Sequence, residues 1–425
     1  MGNNRWKKVL LKTLCSRIGD GLHGTPKYSD NSDIFFINGN NLEKGKILVS
    51  KNTKKVPDTE WHDNFIELNK NSLLLSINGT IGEMAFYNNE KVMLGKSVAY
   101  LNFKTEINVF YYYYFQLQNI QKYFYQVATG STIKNLGLKS IQDFEVPYPN
   151  KESWEPITSI LCEIDKKIEI NNKINNEIES MAKLIYDYWF VQFDFPDESG
   201  KPYKSSGGKM VYNEVLKREI PNYWNDISLA DIIVKSGTGL NPRRNFKLGE
   251  GDNFYITIKN IKNGKIVFDD KTDRISDKSL EIINQRSDLQ IGDVLFTSID
   301  PVGVTYFIQE KPKNWNINES VFTIRANEKL LTPEFLFMLL SSEEMKVFTK
   351  QSSAGSIHKG IRHEVLKNFK LPYGGMPVIL SFTKILKPLL ERLHILDAET
   401  QKLTELRDWL LPMLMNGQVT VGETS

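Results

Sequence analysis

Two loops far apart in the chain offer the same chemistry. Thr129-Gly-Ser-Thr-Ile-Lys-Asn135 and Ser353-Ala-Gly-Ser-Ile-His-Lys359 each combine small residues, which allow close backbone approach, with hydroxyl donors and a lysine. Thr129, Ser131, Thr132, Lys134 and Asn135 in the first, and Ser353, Ser356, His358 and Lys359 in the second, suit contact with phosphate oxygens. The same composition also suits an ordinary turn tied by its own side chains. Two glycine-rich turns, Gly19–Gly24 and Gly237–Gly239, lead into Lys27-Tyr28 and Arg243-Arg244. An arginine there can read guanine through a bidentate pair in a major groove, or it can be a plain exposed charge. Asn38 and Asn40, with Lys259 and Asn260 in the corresponding segment, complete a set of polar groups suited to nucleic acid.

Signatures of catalysis are missing. Gly39 to Lys46 has the wrong spacing for a phosphate-cradling loop, and no Ser or Thr follows its lysine. Neither dinucleotide-type glycine spacing nor the Asn/Asp-Pro-Pro-aromatic motif of amino methyltransferases occurs; Asp300-Pro301-Val302 reads as a turn. His23, His62, His358, His363 and His394 are scattered without metal-ligand spacing. Asp58-Thr-Glu60 and Asp197-Glu198 lack the downstream lysine arrangement of common nucleases, and Glu163, Asp165 and Lys166 read as a solvated helical face. The chain is expected to catalyse nothing and to hold no metal or cofactor of its own. The run Phe110-Tyr-Tyr-Tyr-Tyr-Phe115 can be a stacking platform for bases. However, its counterpart Glu334-Phe-Leu-Phe-Met-Leu339 is an apolar helical stretch, which points to a core helix.

The elements that must position these loops occur twice. Trp6 to Leu14, Phe35-Phe-Ile-Asn-Gly-Asn-Asn41, Leu73-Leu-Leu-Ser76, Gly130-Ser131 and Phe144 to Tyr148 are answered by Trp224 to Ile232, Phe254-Tyr-Ile-Thr-Ile-Lys-Asn260, Val294-Leu-Phe-Thr297, Gly355-Ser356 and Phe369 to Tyr373. A repeat this long means two copies of one globular domain rather than a solenoid. Each copy mixes short β-like runs with a late helical stretch, an α/β or α+β pattern. The predicted domains are residues 1–150 and 221–375.

Composition fits a soluble globular chain. Its 425 residues are 40% hydrophobic and 25% charged. No leader or membrane span is expected. Cys15 and Cys162 are too few for a disulfide framework, which suggests a reducing cytoplasm. Residues 1–150 carry 18 basic against 13 acidic side chains and residues 221–375 carry 21 against 19, whereas residues 151–220 carry 10 against 13. Positive charge on the repeats is compatible with a nucleic-acid partner.

Between and after the repeats lie two heptad seams. Ile157, Ile164, Asn171, Ile178 and Ile185 step by seven, accompanied by Ile160, Ile174, Met181 and Tyr188. Phe382, Leu389, Leu396, Leu403 and Leu410 do the same, flanked by Ile385, Leu386, Leu393, Leu406 and Met413. These predict coiled-coil helices over 151–195 and 376–418, each the nearest partner for the other's apolar stripe. A helix from Ser153 to Val191 spans about 58 Å at about 1.5 Å per residue. Pro388 predicts a kink or a helix start there. Leu161, Ile168, Trp189, Leu390 and Trp409 fall outside the seams, free to contact a partner subunit or the chain's own domains. Residues 196–220 are turn-rich and read as a connector.

Three stretches carry a family resemblance. Leu406-Arg-Asp-Trp-Leu-Leu-Pro-Met-Leu-Met-Asn-Gly417, Gly200-Lys-Pro-Tyr-Lys-Ser-Ser-Gly-Gly-Lys-Met210 running through Arg218-Glu-Ile-Pro221 to Trp224, and Leu184-Ile-Tyr-Asp-Tyr-Trp-Phe190 resemble the specificity subunit of type I restriction–modification systems. The resemblance implies a non-catalytic subunit whose two target-recognition domains each read half of a bipartite, asymmetric site in double-stranded DNA. It implies that the two helices pair antiparallel as a spacer and that two adenine-N6 methyltransferase subunits bind, with two translocase/nuclease subunits able to join. S-adenosylmethionine, ATP and Mg would then belong to those partners. The competing reading is a two-domain protein-binding adaptor with a coiled-coil scaffold. The Ile-Pro pair before Trp224 has no counterpart before Trp6.

Overall fold

A computed structural model describes residues 6–262, 264–353 and 360–419. Ser356, His358 and Lys359 lie outside the described residues. The chain divides into two units, Met1–Ile170 with Glu399–Ser425, and Asn171–Ala398.

In the first unit the strand Lys7–Leu10 pairs antiparallel with Glu145–Tyr148, joining the domain's two ends. Between them a four-stranded antiparallel sheet runs in the order Cys15–Asp20, Val98–Phe103, Ser72–Ser76, Met84–Phe86. Ser72–Ser76 and Val98–Phe103 are buried along their whole lengths, which is why they read as continuous apolar runs rather than alternating ones. A second sheet orders Lys55–Val56, Ile34–Ile37 and Val92–Leu94, with the last pair parallel. The aromatic run forms the helix Asn108–Phe115, with Phe110, Tyr111 and Phe115 fully buried, so it is core. The Tyr111 hydroxyl donates to the Pro147 carbonyl at 2.8 Å.

The second unit repeats this topology strand for strand. Asn225–Ser228 pairs with Lys370–Tyr373, and the four-stranded sheet orders Ile233–Thr238, Val321–Ala326, Val294–Thr297, Thr305–Phe307. The smaller sheet orders Arg274–Ile275, Asn253–Ile256 and Trp315–Ile317, again with a parallel last pair. One addition precedes it. The connector folds into a hairpin, Met210–Asn213 against Arg218–Pro221. Buried Phe195 stacks on Tyr203 and Trp224, which fixes the connector to this unit.

Two long helices complete the units. The central helix, Lys151–Tyr186, continues into a π-helical turn at Asp187–Val191. The distal helix, Met376–Met415, begins well before Pro388, so that proline is interior and does not mark the start. In the first unit Trp154, Ile157 and Leu161 share a core with Leu411, Leu414 and Met415. Asp165 there accepts from the Tyr113 hydroxyl at 2.7 Å and from Arg407 Nη1 at 3.0 Å. In the second unit Ala182, Tyr186, Trp189 and Phe190 share a core with Ile379, Phe382, Leu386 and Leu390. Each unit therefore joins opposite ends of the two helices, which is an antiparallel pairing.

Ile157, Ile164 and Asn171 are buried and Ile178 and Ile185 half-buried; Phe382 and Leu396 are buried and Leu389, Leu403 and Leu410 half-buried. The companion series on the central helix differs from the expectation. Ile160, Met181 and Tyr188 are exposed, while Leu161, Asn175, Ala182 and Trp189 are buried. Residues three and four positions away are both neighbours on a helix. The structure uses the four-residue step, which inserts Leu161 and Trp189 at the cost of one polar layer. Leu161, Trp189 and Leu390 are thus core residues rather than free contact surface, whereas Trp409 is 63% exposed.

Candidate nucleic-acid interface

The predicted polar residues gather where strands of the two sheets end. In the first domain the turn around Gly21 sits against the end of strand Val92–Leu94, with Leu22 N–H donating to the Leu94 carbonyl and Lys96 N–H to the Leu22 carbonyl. A Cβ on Gly21 would overlap the Leu94 carbonyl oxygen, so only glycine permits this approach. Gly239 meets the Ile317 carbonyl in the same way in the second domain. Ser97 Oγ accepts from Gly39 N–H and donates to Asn38 Oδ1 at 3.0 Å, which draws the Asn38–Asn41 segment to the same place. Ser97 also accepts at its carbonyl from Ile77 N–H, and Asn78 pairs with Asn135. The loop Thr129–Asn135 therefore closes over the same strand ends, tied by Thr129 and Asn135 through reciprocal backbone hydrogen bonds of 2.9 and 2.7 Å.

The second domain rebuilds the cluster. Ile299 pairs with Gly360, and Ile361 N–H donates to the Ser298 carbonyl, so Gly360 and Ile361 lie at the matching strand end. Ser353 itself ends the helix Glu343–Ser353, its hydroxyl donating to the Lys350 carbonyl.

Within this cluster the side chains divide into scaffold and free groups. Asn260 is scaffold. Its Oδ1 accepts from Thr257 N–H and Oγ, and its Nδ2 reaches the Val267 carbonyl and Thr272 Oγ1. Asn41, absent from the sequence expectations, plays the same part in the first domain, capping Asn38 N–H and donating to the Leu48 carbonyl. Asn40 and Lys259, one residue earlier in each, are the exposed tips. Asn38 is held by Ser97. Lys134 is half-committed, its Nζ 4.3 Å from the centre of the Tyr125 ring and donating to the Tyr125 carbonyl. Ser131 and Thr132 are exposed.

Basic side chains follow the two glycine turns. Lys27 is exposed, and Tyr28, 48% exposed, stands edge-on to Phe36 with Lys54 Nζ 5.8 Å from its ring centre. Arg243 and Arg244 are exposed in the turn that follows Pro242, and neither has a partner among the described residues. Arg274 lies 3.7 Å over the Phe254 ring. Exposed cations mixed with hydroxyls and amides at paired loop clusters suit a polyanion whose bases also present hydrogen-bonding edges. Among the described residues no group of three or more His, Cys, Asp or Glu is placed to hold a metal. No helix among them is long and apolar enough to cross a membrane.

The architecture is that of a duplicated α+β recognition domain with two long pairing helices. The chain matches the Type I restriction modification DNA specificity domain over residues 3–180 and again over 221–405, and it belongs to that family, the specificity subunits of type I restriction–modification systems. It is 23% identical over 336 residues to the type I restriction enzyme MjaIX specificity subunit of Methanocaldococcus jannaschii, covering 75% of this chain and 70% of that one. It is 22% identical over 351 residues to the HindI specificity subunit of Haemophilus influenzae, covering 70% and 74%. The crystal structure of the type I S subunit from M. genitalium shares the fold, with a TM-score of 0.62 at 18% identity over 100% of this chain and 98% of that one.

Proposed function

We propose that each domain reads one half of a bipartite, asymmetric site in double-stranded DNA, and that the paired helices set the gap between the halves. The chain itself is non-catalytic and works in the cytoplasm. Two adenine-N6 methyltransferase subunits dock on it, with two translocase/nuclease subunits joining when the complex restricts. S-adenosylmethionine, ATP and Mg are taken up by those partners. The observation that carries this reading is the duplicated strand-end cluster. The same scaffold, with Asn41 and Asn260 as caps, presents different side chains in the two domains: Lys27, Tyr28, Asn40, Ser131, Thr132 and the partly engaged Lys134 against Arg243, Arg244 and Lys259. Exposed apolar groups on the helices, such as Leu406 and Trp409, suit a docking methyltransferase. Co-expression with the cognate methyltransferase subunit, followed by genome-wide mapping of N6-methyladenine, tests the proposal. A bipartite motif with a fixed gap is expected; methylation no higher than background would refute it.

A further inference from the structure

One position in the strand-end cluster changes sign between the domains. Lys96 and Glu319 both stand two residues after the parallel edge strand (Val92–Leu94, Trp315–Ile317) and two before the next strand (Val98–Phe103, Val321–Ala326). The local hydrogen bonds match: Gly95 N–H donates to Ile37 and Val98 N–H to Gly95, as Asn318 N–H donates to Ile256 and Val321 N–H to Asn318. Both positions touch the glycine turn, Lys96 through Leu22 and the Asn318–Glu319 segment through Gly239.

The surroundings differ as sharply as the charge. Lys96 is exposed, and its ammonium meets no partner among the described residues. Glu319 is half-buried, receiving Asn241 Nδ2 on one oxygen, while the Tyr255 hydroxyl, which donates to the Leu240 carbonyl at 2.7 Å, lies 3.4 Å from the other. Arg243 and Arg244 follow Asn241 by two and three residues, yet neither pairs with this carboxylate. A neutral donor, the Asn241 amide, holds Glu319 in place and leaves the arginines free. Asn241 Oδ1 is buried and receives no hydrogen bond from a described residue, so its amide is held on the Glu319 side alone.

A carboxylate only accepts, which complements the exocyclic amino groups of cytosine or adenine; an ammonium only donates, which complements guanine O6 and N7. We infer that Lys96 and Glu319 are the matched specificity-determining residues of the two domains, Lys96 reading guanine through O6 or N7 and Glu319 reading cytosine through its N4 amino group at corresponding positions of the two half-sites. This rests on the DNA reading proposed above. The test uses the full chain in complex with its methyltransferase subunits and compares methylated motifs of the wild type, Lys96→Glu and Glu319→Lys. Each exchange is expected to change the preferred base at one position of one half-site, with about tenfold or greater loss at the original base, and to leave the other half unchanged. Loss of one half-site through misfolding produces no new base preference, and Glu319→Gln, which keeps the shape and an oxygen to accept from Asn241 while adding an amide donor, is expected to move preference toward adenine. Unchanged motifs in all three variants, or an exchange that merely abolishes methylation while Glu319→Gln keeps the original base, would overturn the inference. A wild type that yields no bipartite motif would instead overturn the underlying reading.

Discussion

His363 shows how one side chain can couple the second domain's stability to pH. Its Nδ1 lies 2.6 Å from Ser236 Oγ, and its ring stacks on Phe322 with centres 3.6 Å apart. Burial, then the nearby Lys367, hold its pKa below the ordinary value of 6.5, with Glu364 acting weakly the other way. The folded form therefore prefers the neutral ring. Above pH 6.5 both states are neutral and the group adds no pH dependence. As pH falls through 6.5 the unfolded chain takes up the proton first, so stability declines until the lower folded pKa is passed. Denaturant midpoints at pH 7.5 and 5.5 are expected to fall further for the wild type than for His363→Gln. Equal falls in the two proteins would show that the ring does not make this contribution.

At the level of elements, the central helix makes a sharper claim. Leu161 is fully buried in the first unit's core, while Ile160, one residue earlier and equally apolar, is 37% exposed. Leu161→Ala is expected to cost about 2–5 kcal/mol through lost burial and a residual cavity. Ile160→Ala should stay within about 0.5 kcal/mol, since an exposed substitution to a good helix former is nearly neutral. Urea unfolding of the two variants decides it, and comparable losses would restore the three-residue register. The helix and its seven-residue step are legible in the sequence because apolar periodicity reports directly on which face is dry. The choice of companion series is not, because Ile160, Met181 and Tyr188 look better than a series containing Asn175. Tertiary partners settle it. Asn175 Nδ2 donates to Asp397 at 2.6 Å, and Lys265 pairs with the same carboxylate at 2.6 Å. The strand-end cluster shows the same division. Exposed cations such as Arg243 and Arg244 can be seen in the sequence, whereas the capping role of Asn260 depends on Val267 and Thr272 folding back to meet it.

At the scale of the whole chain, the repeat visible in the sequence is a domain followed by a helix, but each compact unit takes segments of both helices. The second unit, Asn171–Ala398, is continuous and holds its own core, from Ala182 and Trp189 to Phe382 and Leu390. The first is assembled from Met1–Ile170 and Glu399–Ser425. Without the second segment, Trp154, Ile157 and Leu161 lose Leu411, Leu414 and Met415, and Asp165 loses Arg407. Burial of three large apolar side chains contributes about 1.5–3 kcal/mol each, and a charge-assisted hydrogen bond about 1.5–3 kcal/mol more. That sum is comparable to the entire stability of a typical domain, about 5–15 kcal/mol. A fragment of residues 171–398 is therefore expected to unfold in one cooperative urea transition by itself. A fragment of residues 1–170 should be marginal or aggregated, and joining residues 399–425 to it through a flexible linker should restore a cooperative transition. If residues 1–170 alone unfold with the same midpoint as the linked version, the distal helix end is not a structural part of the first unit.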